Sequence, residues 1–123
     1  MAKQRILIAD DEKDFLELLK KRLENENYEV LAAANGEEAL EMARESKPDL
    51  VVSDVEMPKM DGCALLSALS KEYADIPVIF LTSHTQFEEI KKGMDLGVMS
   101  YVPKPFKAET LLGVIKGMIG NGE

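Results

Sequence analysis

Four apolar runs in this 123-residue sequence each end in a side chain able to do chemistry. "ILIADDE" runs into Asp10, Asp11 and Glu12, "PDLVVSD" ends in Asp54, "IPVIFLTS" ends in Thr82 and Ser83, and "VMSYVPKP" ends in Lys104 and Pro105. Neighbouring carboxylates repel one another, so grouping them beside buried segments is costly unless a positive charge offsets it. A hard divalent cation does so, because Mg2+ takes oxygen ligands, commonly one or two carboxylates with waters and phosphate oxygens. A lysine opposite neutralises a second anion. Cation, carboxylate nucleophile, hydroxyl and ammonium together suit transfer of a phosphoryl group to an aspartate.

Each residue also has a plainer reading. Asp11 and Glu12 suit the first turn of a helix, where free N–H groups and the dipole favour acids. An acid such as Asp54 at a strand end often just opens a loop. A single lysine such as Lys104 is most often solvated. His84, the only histidine, reads as a solvated loop residue, and Cys63 as a packing residue. The chemical reading stands on convergence, which depends on the elements that carry these residues.

The chain alternates short aliphatic runs with segments of helical period. "QRILIAD", "YEVLAAA", "PDLVVSD", "IPVIFLTS" and "VMSYVPKP" read as buried strands. Between them, Phe15, Leu18, Leu19 and Leu23 mark a first helix, and Ala39, Leu40 and Ala43 a second that ends before Lys47-Pro48. Leu65, Leu66 and Leu69 mark a third helix, with Asp61 as its cap; Phe87, Ile90 and Met94 mark a fourth, and Leu111, Leu112, Ile115 and Ile119 a last one. Five strands alternating with five helices imply a doubly wound α/β fold, a parallel sheet covered on both faces. In such sheets ligands bind at the C-terminal strand ends, where the strand order reverses. With the order 2-1-3-4-5, the first and third strands are neighbours at that point. Asp10, Asp11 and Asp54 then share one crevice, with Thr82 and Lys104 on its far side.

Bulk properties narrow the partners. One domain over residues 1–123 is expected, with 46% hydrophobic and 31% charged residues. The net charge of −8 argues against nucleic acid or an anionic membrane as a direct partner. A single cysteine excludes a disulfide framework, and no run is long enough for a signal peptide or a membrane span. A cytoplasmic setting is expected.

The pieces "ILIADDE", "VVSDVEMPKMDG", "VIFLTS" and "SYVPKP", in this order from Arg5 to about Ile119, resemble the receiver domains of two-component response regulators. The resemblance implies the strand order 2-1-3-4-5 and a phosphorylation-activated switch. Asp54 would accept a phosphoryl group from a histidine kinase or phosphotransfer protein, catalysing its own modification without being a conventional enzyme. Mg2+ would be held by Asp10, Asp11, Asp54 and the backbone carbonyl of Glu56. Thr82 and Lys104 would contact the phosphoryl group. Thr82 and Tyr101 would form the switch pair, acting on the face of the fourth helix, fifth strand and fifth helix to regulate an unidentified output partner. Pro105 would follow a cis peptide bond. Glu56 and His84, two residues beyond Asp54 and Thr82, would tune the lifetime of the aspartyl-phosphate. A monomer or weak phosphorylation-dependent dimer is expected.

Three other readings fit less well. A flavodoxin-type carrier needs a phosphate-cradling loop where this chain has "DDEKD". A haloacid-dehalogenase-like phosphohydrolase needs a second aspartate where Asp54-Val55-Glu56-Met57 has glutamate, and room for a cap domain. A binding-only receiver would lack site residues, whereas all five are present.

Overall fold

The chain is described by a computed structural model covering residues 3–73, 75–82, 91 and 100–120. Its strands are β1 (Arg5–Ala9), β2 (Glu29–Ala33), β3 (Leu50–Asp54), β4 (Val78–Thr82) and β5 (Ser100–Pro103). They form one sheet in the order β2-β1-β3-β4-β5, and every pairing is parallel. Four helices lie among the described residues: α1 (Lys13–Glu24), α2 (Gly36–Ser46), α3 (Gly62–Glu72) and α4 (Ala108–Ile119). The helix expected around Phe87, Ile90 and Met94 lies outside them, as do Ser83 and His84; Lys91 alone of that segment is described, as helical and exposed.

The strands are aliphatic on both faces because both faces are covered. Ile6, Ile8, Val52, Ile79, Leu81 and Val102 pack against α1 and α4 through Leu19, Leu23, Leu111 and Ile115. Leu7, Val51, Val78 and Phe80 pack on the other face against α2 and α3 through Leu40, Ala43, Leu65 and Leu69. β2 is an edge strand and is correspondingly less buried. At the opposite edge of the sheet from the strand ends, Tyr28 donates its hydroxyl to the Gly120 carbonyl at 2.6 Å and so ties down the end of α4.

The expected stripe of α1 needs one correction. Leu18 is 70% exposed, and the buried set is Leu16, Leu19 and Leu23. At 3.6 residues per turn Leu18 stands roughly 200° around the helix from Leu16, so it points away from the sheet. Leucine content alone did not fix the face.

Helix starts are set by local chemistry. Asn35 Oδ1 accepts from the Glu38 N–H at 2.9 Å, and Asp61 Oδ1 from the Ala64 N–H at 2.8 Å, as expected for Asp61. Two glycines then bring helices against the loop at 55–61. A Cβ on Gly62 would stand 2.5 Å from the Asp54 carbonyl oxygen, and one on Gly36 would stand 2.0 Å from the Met60 carbonyl oxygen. Backbone atoms cannot yield as a side chain can. Gly36→Ala should therefore destabilise the fold by about 1–3 kcal/mol, despite alanine's better helix propensity. A urea unfolding curve should show a lower midpoint at an unchanged slope. An unchanged midpoint would mean that the loop can shift without cost.

Candidate functional site

All five strands end on the same edge, so the residues that follow them meet there. Asp10 lies one residue past β1, placed by its N–H, which donates to the Ala33 carbonyl at 3.1 Å. Its side chain is 1% exposed, yet it is well partnered. Oδ1 accepts from the Glu12 N–H at 2.9 Å, and Oδ2 accepts from Lys104 Nζ at 2.7 Å. Glu12, at the start of α1, makes no side-chain cap bond, and Asp10 instead forms a local turn by accepting from the Glu12 N–H just ahead of the helix.

Asp54 closes β3, half-buried, and its carboxylate accepts from the Glu56 N–H. Asp11 is exposed. One carboxylate oxygen from each of Asp10, Asp11 and Asp54 lies within 4.8 Å of the others. Asp11 and Asp54 border an open cleft of about 520 Å³ lined also by Glu12, Glu56, Met57, Pro58 and Lys104.

Lys104 reaches into this cleft from the end of β5. Its backbone N–H donates to the Thr82 carbonyl at 2.6 Å, and the Lys104–Pro105 bond is cis. Nζ lies 2.7 Å from Asp10 Oδ2, 3.4 Å from Asp54 Oδ2 and 3.9 Å from Glu12 Oε1. Thr82 is buried at the end of β4, one residue past Leu81, the register partner of Asp54. Tyr101 pairs in register with Phe80 and is 42% exposed.

The electrostatics follow from this packing. Burial raises the Asp54 pKa, and the negative charge of Asp10 adds to the rise; Lys104 and the Glu56 N–H oppose it without cancelling it. Repulsion from the neighbouring carboxylate contributes, but burial is the larger cause. For Lys104 burial favours the neutral amine. The hydrogen bond that Lys104 donates to Asp10 and the charges of Asp10 and Asp54 outweigh it, and the pKa rises. The pair is thus an ammonium lodged between carboxylates.

The residues fit a hard divalent cation. All the donors are oxygens, the exposed Asp11 leaves the group open to the cleft, and positive charge is already accommodated between Asp10 and Asp54.

Two features near Lys104 were not singled out from sequence. Phe15 packs against the core, as its place in the stripe predicts, and both it and Phe106 also lie near Lys104. The Phe15 ring centroid lies 4.6 Å from Lys104 Nζ, and Phe106 meets Phe15 edge-on, with centroids 5.9 Å apart at 83°. The available signal was an aromatic directly after Lys104-Pro105.

The family model for the response regulator receiver domain matches residues 6–116. A "Probable transcriptional regulator ycf27" of Porphyridium aerugineum is 39% identical over 119 residues, 97% of this chain and 49% of that protein. The chain thus spans about half the length of the curated relatives it matches. A receiver domain protein from Clostridium thermocellum has a similar structure, with a TM-score of 0.90 at 33% identity over 94% of each chain. The chemotaxis protein CheY4 of Vibrio cholerae gives a TM-score of 0.89 at 32% identity, over 96% of this chain and 100% of that one.

Proposed function

The chain belongs to the response regulator receiver domains of two-component systems, and from that premise we propose that it is a switch phosphorylated on Asp54 in a Mg2+-dependent reaction. The observation that carries the reading is Lys104 Nζ within 3.4 Å of both Asp10 and Asp54, beside a cluster of three carboxylates.

The step is an in-line displacement. An Asp54 carboxylate oxygen bonds to the phosphorus, and the P–N bond of a phosphohistidine or the P–O bond of a small acyl phosphate breaks. The bonding pair leaves with the imidazole or the carboxylate. Asp10, Asp11, Asp54 and the Glu56 carbonyl would hold Mg2+, which when bound neutralises charge on the transferring oxygens. Lys104 exchanges its Asp10 contact for a phosphoryl oxygen. Thr82 donates its hydroxyl to another. Glu56 and His84 sit two residues beyond site residues and tune later attack by water.

Readout runs through Thr82 and Tyr101. Hydrogen bonds to charged groups are worth about 1.5–3 kcal/mol each, so two supply about 3–6 kcal/mol. Taking a two-state equilibrium from 1:99 to 99:1 needs about 5.5 kcal/mol. The scale matches. As Thr82 moves toward the phosphoryl group, Tyr101, exposed in this structure, turns inward. The face formed by β5 and α4 then changes shape for an output partner. The phosphoryl donor is a histidine kinase or phosphotransfer protein. In a protein twice this length, an attached domain would carry output, with DNA as one target, while this chain's charge of −8 keeps it off the nucleic acid itself.

Acetyl phosphate with Mg2+ tests the switch. Wild type should gain one phosphoryl mass, and the Tyr101 amide resonance should move. Thr82→Ala should gain the same mass with the Tyr101 resonance nearly unmoved. A full wild-type shift in Thr82→Ala would separate Thr82 from the readout.

A further inference from the structure

Phe15 is the third residue of α1 and packs at the margin of the core that holds Leu16, Leu19 and Leu23. It is half-buried and turned to the end of the sheet where Lys104 emerges. The ammonium has carboxylates on one side, at 2.7 and 3.4 Å, and the Phe15 ring on another, with 4.6 Å between Nζ and the centroid. Phe106 presses edge-on against that ring and fixes its orientation. Lys104, Phe15 and Phe106 also share a second cleft, of about 400 Å³, with Glu12 and Pro105.

We propose that Phe15 is a positioning residue: its ring face holds the Lys104 ammonium at the mouth of the crevice, aimed at Asp54, when Asp10 is no longer its partner. The proposal rests on the phosphoryl-transfer reading. The main anchor of Lys104 at rest is Asp10, which that reading also assigns to a cation. A cation there repels the ammonium. A lysine stem has four rotatable bonds and loses much rotamer freedom when fixed, so an unanchored Lys104 drifts into solvent. The negative face of an aromatic ring attracts an ammonium without competing for the cation, and does so more strongly when partly desolvated, as here. A leucine would cover the same apolar edge but offers no such face.

Fluorination of the ring at position 15 tests this without changing its shape. Site-specific incorporation of 4-fluoro-, 3,5-difluoro- and 3,4,5-trifluorophenylalanine withdraws π density stepwise. The rate of phosphoryl uptake from acetyl phosphate should fall step by step, by about two- to tenfold across the series. Phe15→Trp should keep the wild-type rate, and Phe15→Leu should lose at least as much as the trifluoro ring. By NMR, the Lys104 ε-methylene protons should be shifted upfield by the ring in wild type, with and without Mg2+, and return to ordinary positions in Phe15→Leu. Equal rates across the fluorinated series, or ε-methylene protons at ordinary positions in wild type, would overturn the proposal. The NMR arm needs no phosphate. A chain with the shifted resonances that never takes up phosphate would refute the functional reading, and the positioning role with it, while keeping the ring–ammonium contact.

Discussion

Asp54→Asn takes up no phosphoryl group from acetyl phosphate, and in metal-free buffer it melts at a higher temperature than the wild-type chain. The first effect follows because an amide oxygen is not a nucleophile towards phosphorus, Asp10 is buried with its two oxygens accepting from the Glu12 N–H and Lys104, and Asp11 stands exposed to solvent. The second follows from the raised pKa of Asp54, caused first by burial and then by the charge of Asp10. A carboxyl with a raised folded-state pKa keeps its proton to a higher pH folded than unfolded. Between the two pKa values the folded chain binds more protons, so stability rises as pH falls. Above the folded value the ionised group lowers stability by a constant amount, and the neutral amide removes that cost. The 3.4 Å contact with Lys104 is weakened too, but Lys104 keeps Asp10. Melts near pH 7 and at about pH 4–5 check the sign: wild type should gain more on acidification through the carboxylate range than Asp54→Asn does. A variant that melts lower than wild type near neutral pH would mean that the Lys104 contact outweighs burial.

Lys104→Met separates chemistry from stability in the opposite direction. The thioether fills much of the lysine stem's space but carries no charge. Removing a preorganised charged donor from a transferring group slows such reactions by about 10²–10³-fold. It also leaves Asp10 buried without its cation. Breaking a buried ion pair by removing one partner costs about 3–5 kcal/mol. Because the Lys104 side chain is itself 20% exposed and borders the open cleft, the low end applies, and metal-free Tm should drop by about 10 °C. Mg2+ should restore much of this, since binding to the folded state alone stabilises it by linkage. The Mg2+-induced rise in Tm should therefore be larger in Lys104→Met than in wild type. Differential scanning calorimetry with and without Mg2+ and a phosphate-release assay measure both. Equal Tm values without metal would mean that Lys104 does not hold the resting crevice together.

Much of this was legible in the sequence because two simple periods do most of the specifying. The Val, Ile and Leu runs of β1, β3 and β4 are buried on both faces, and near-continuous apolar runs signal that arrangement. Once strands alternate with helices, parallel pairing places Asp10, Asp54, Thr82 and Lys104 on one edge. What stayed hidden depends on packing angles. Leu18 and Leu19 look alike in sequence, and only the placement of α1 on the sheet decides that one is buried and the other exposed. Phe15 looks like another core residue until β5 brings Lys104 over its ring. The role of burial in raising the Asp54 pKa needs the depth of the crevice, which no spacing gives. The contact of Gly36 with Met60 is likewise a meeting of segments 24 residues apart, visible only in three dimensions.

The most direct measurement is to locate the phosphoryl group. The chain is treated with acetyl phosphate and Mg2+, reduced with borohydride, which converts an acyl phosphate to an alcohol, and sequenced by tandem mass spectrometry. The reduced side chain should appear at position 54 alone, and should be absent when Mg2+ is chelated. Reduction at position 10 or 11, at any other carboxylate, or at none would contradict the assignment of Asp54 as the phosphoacceptor.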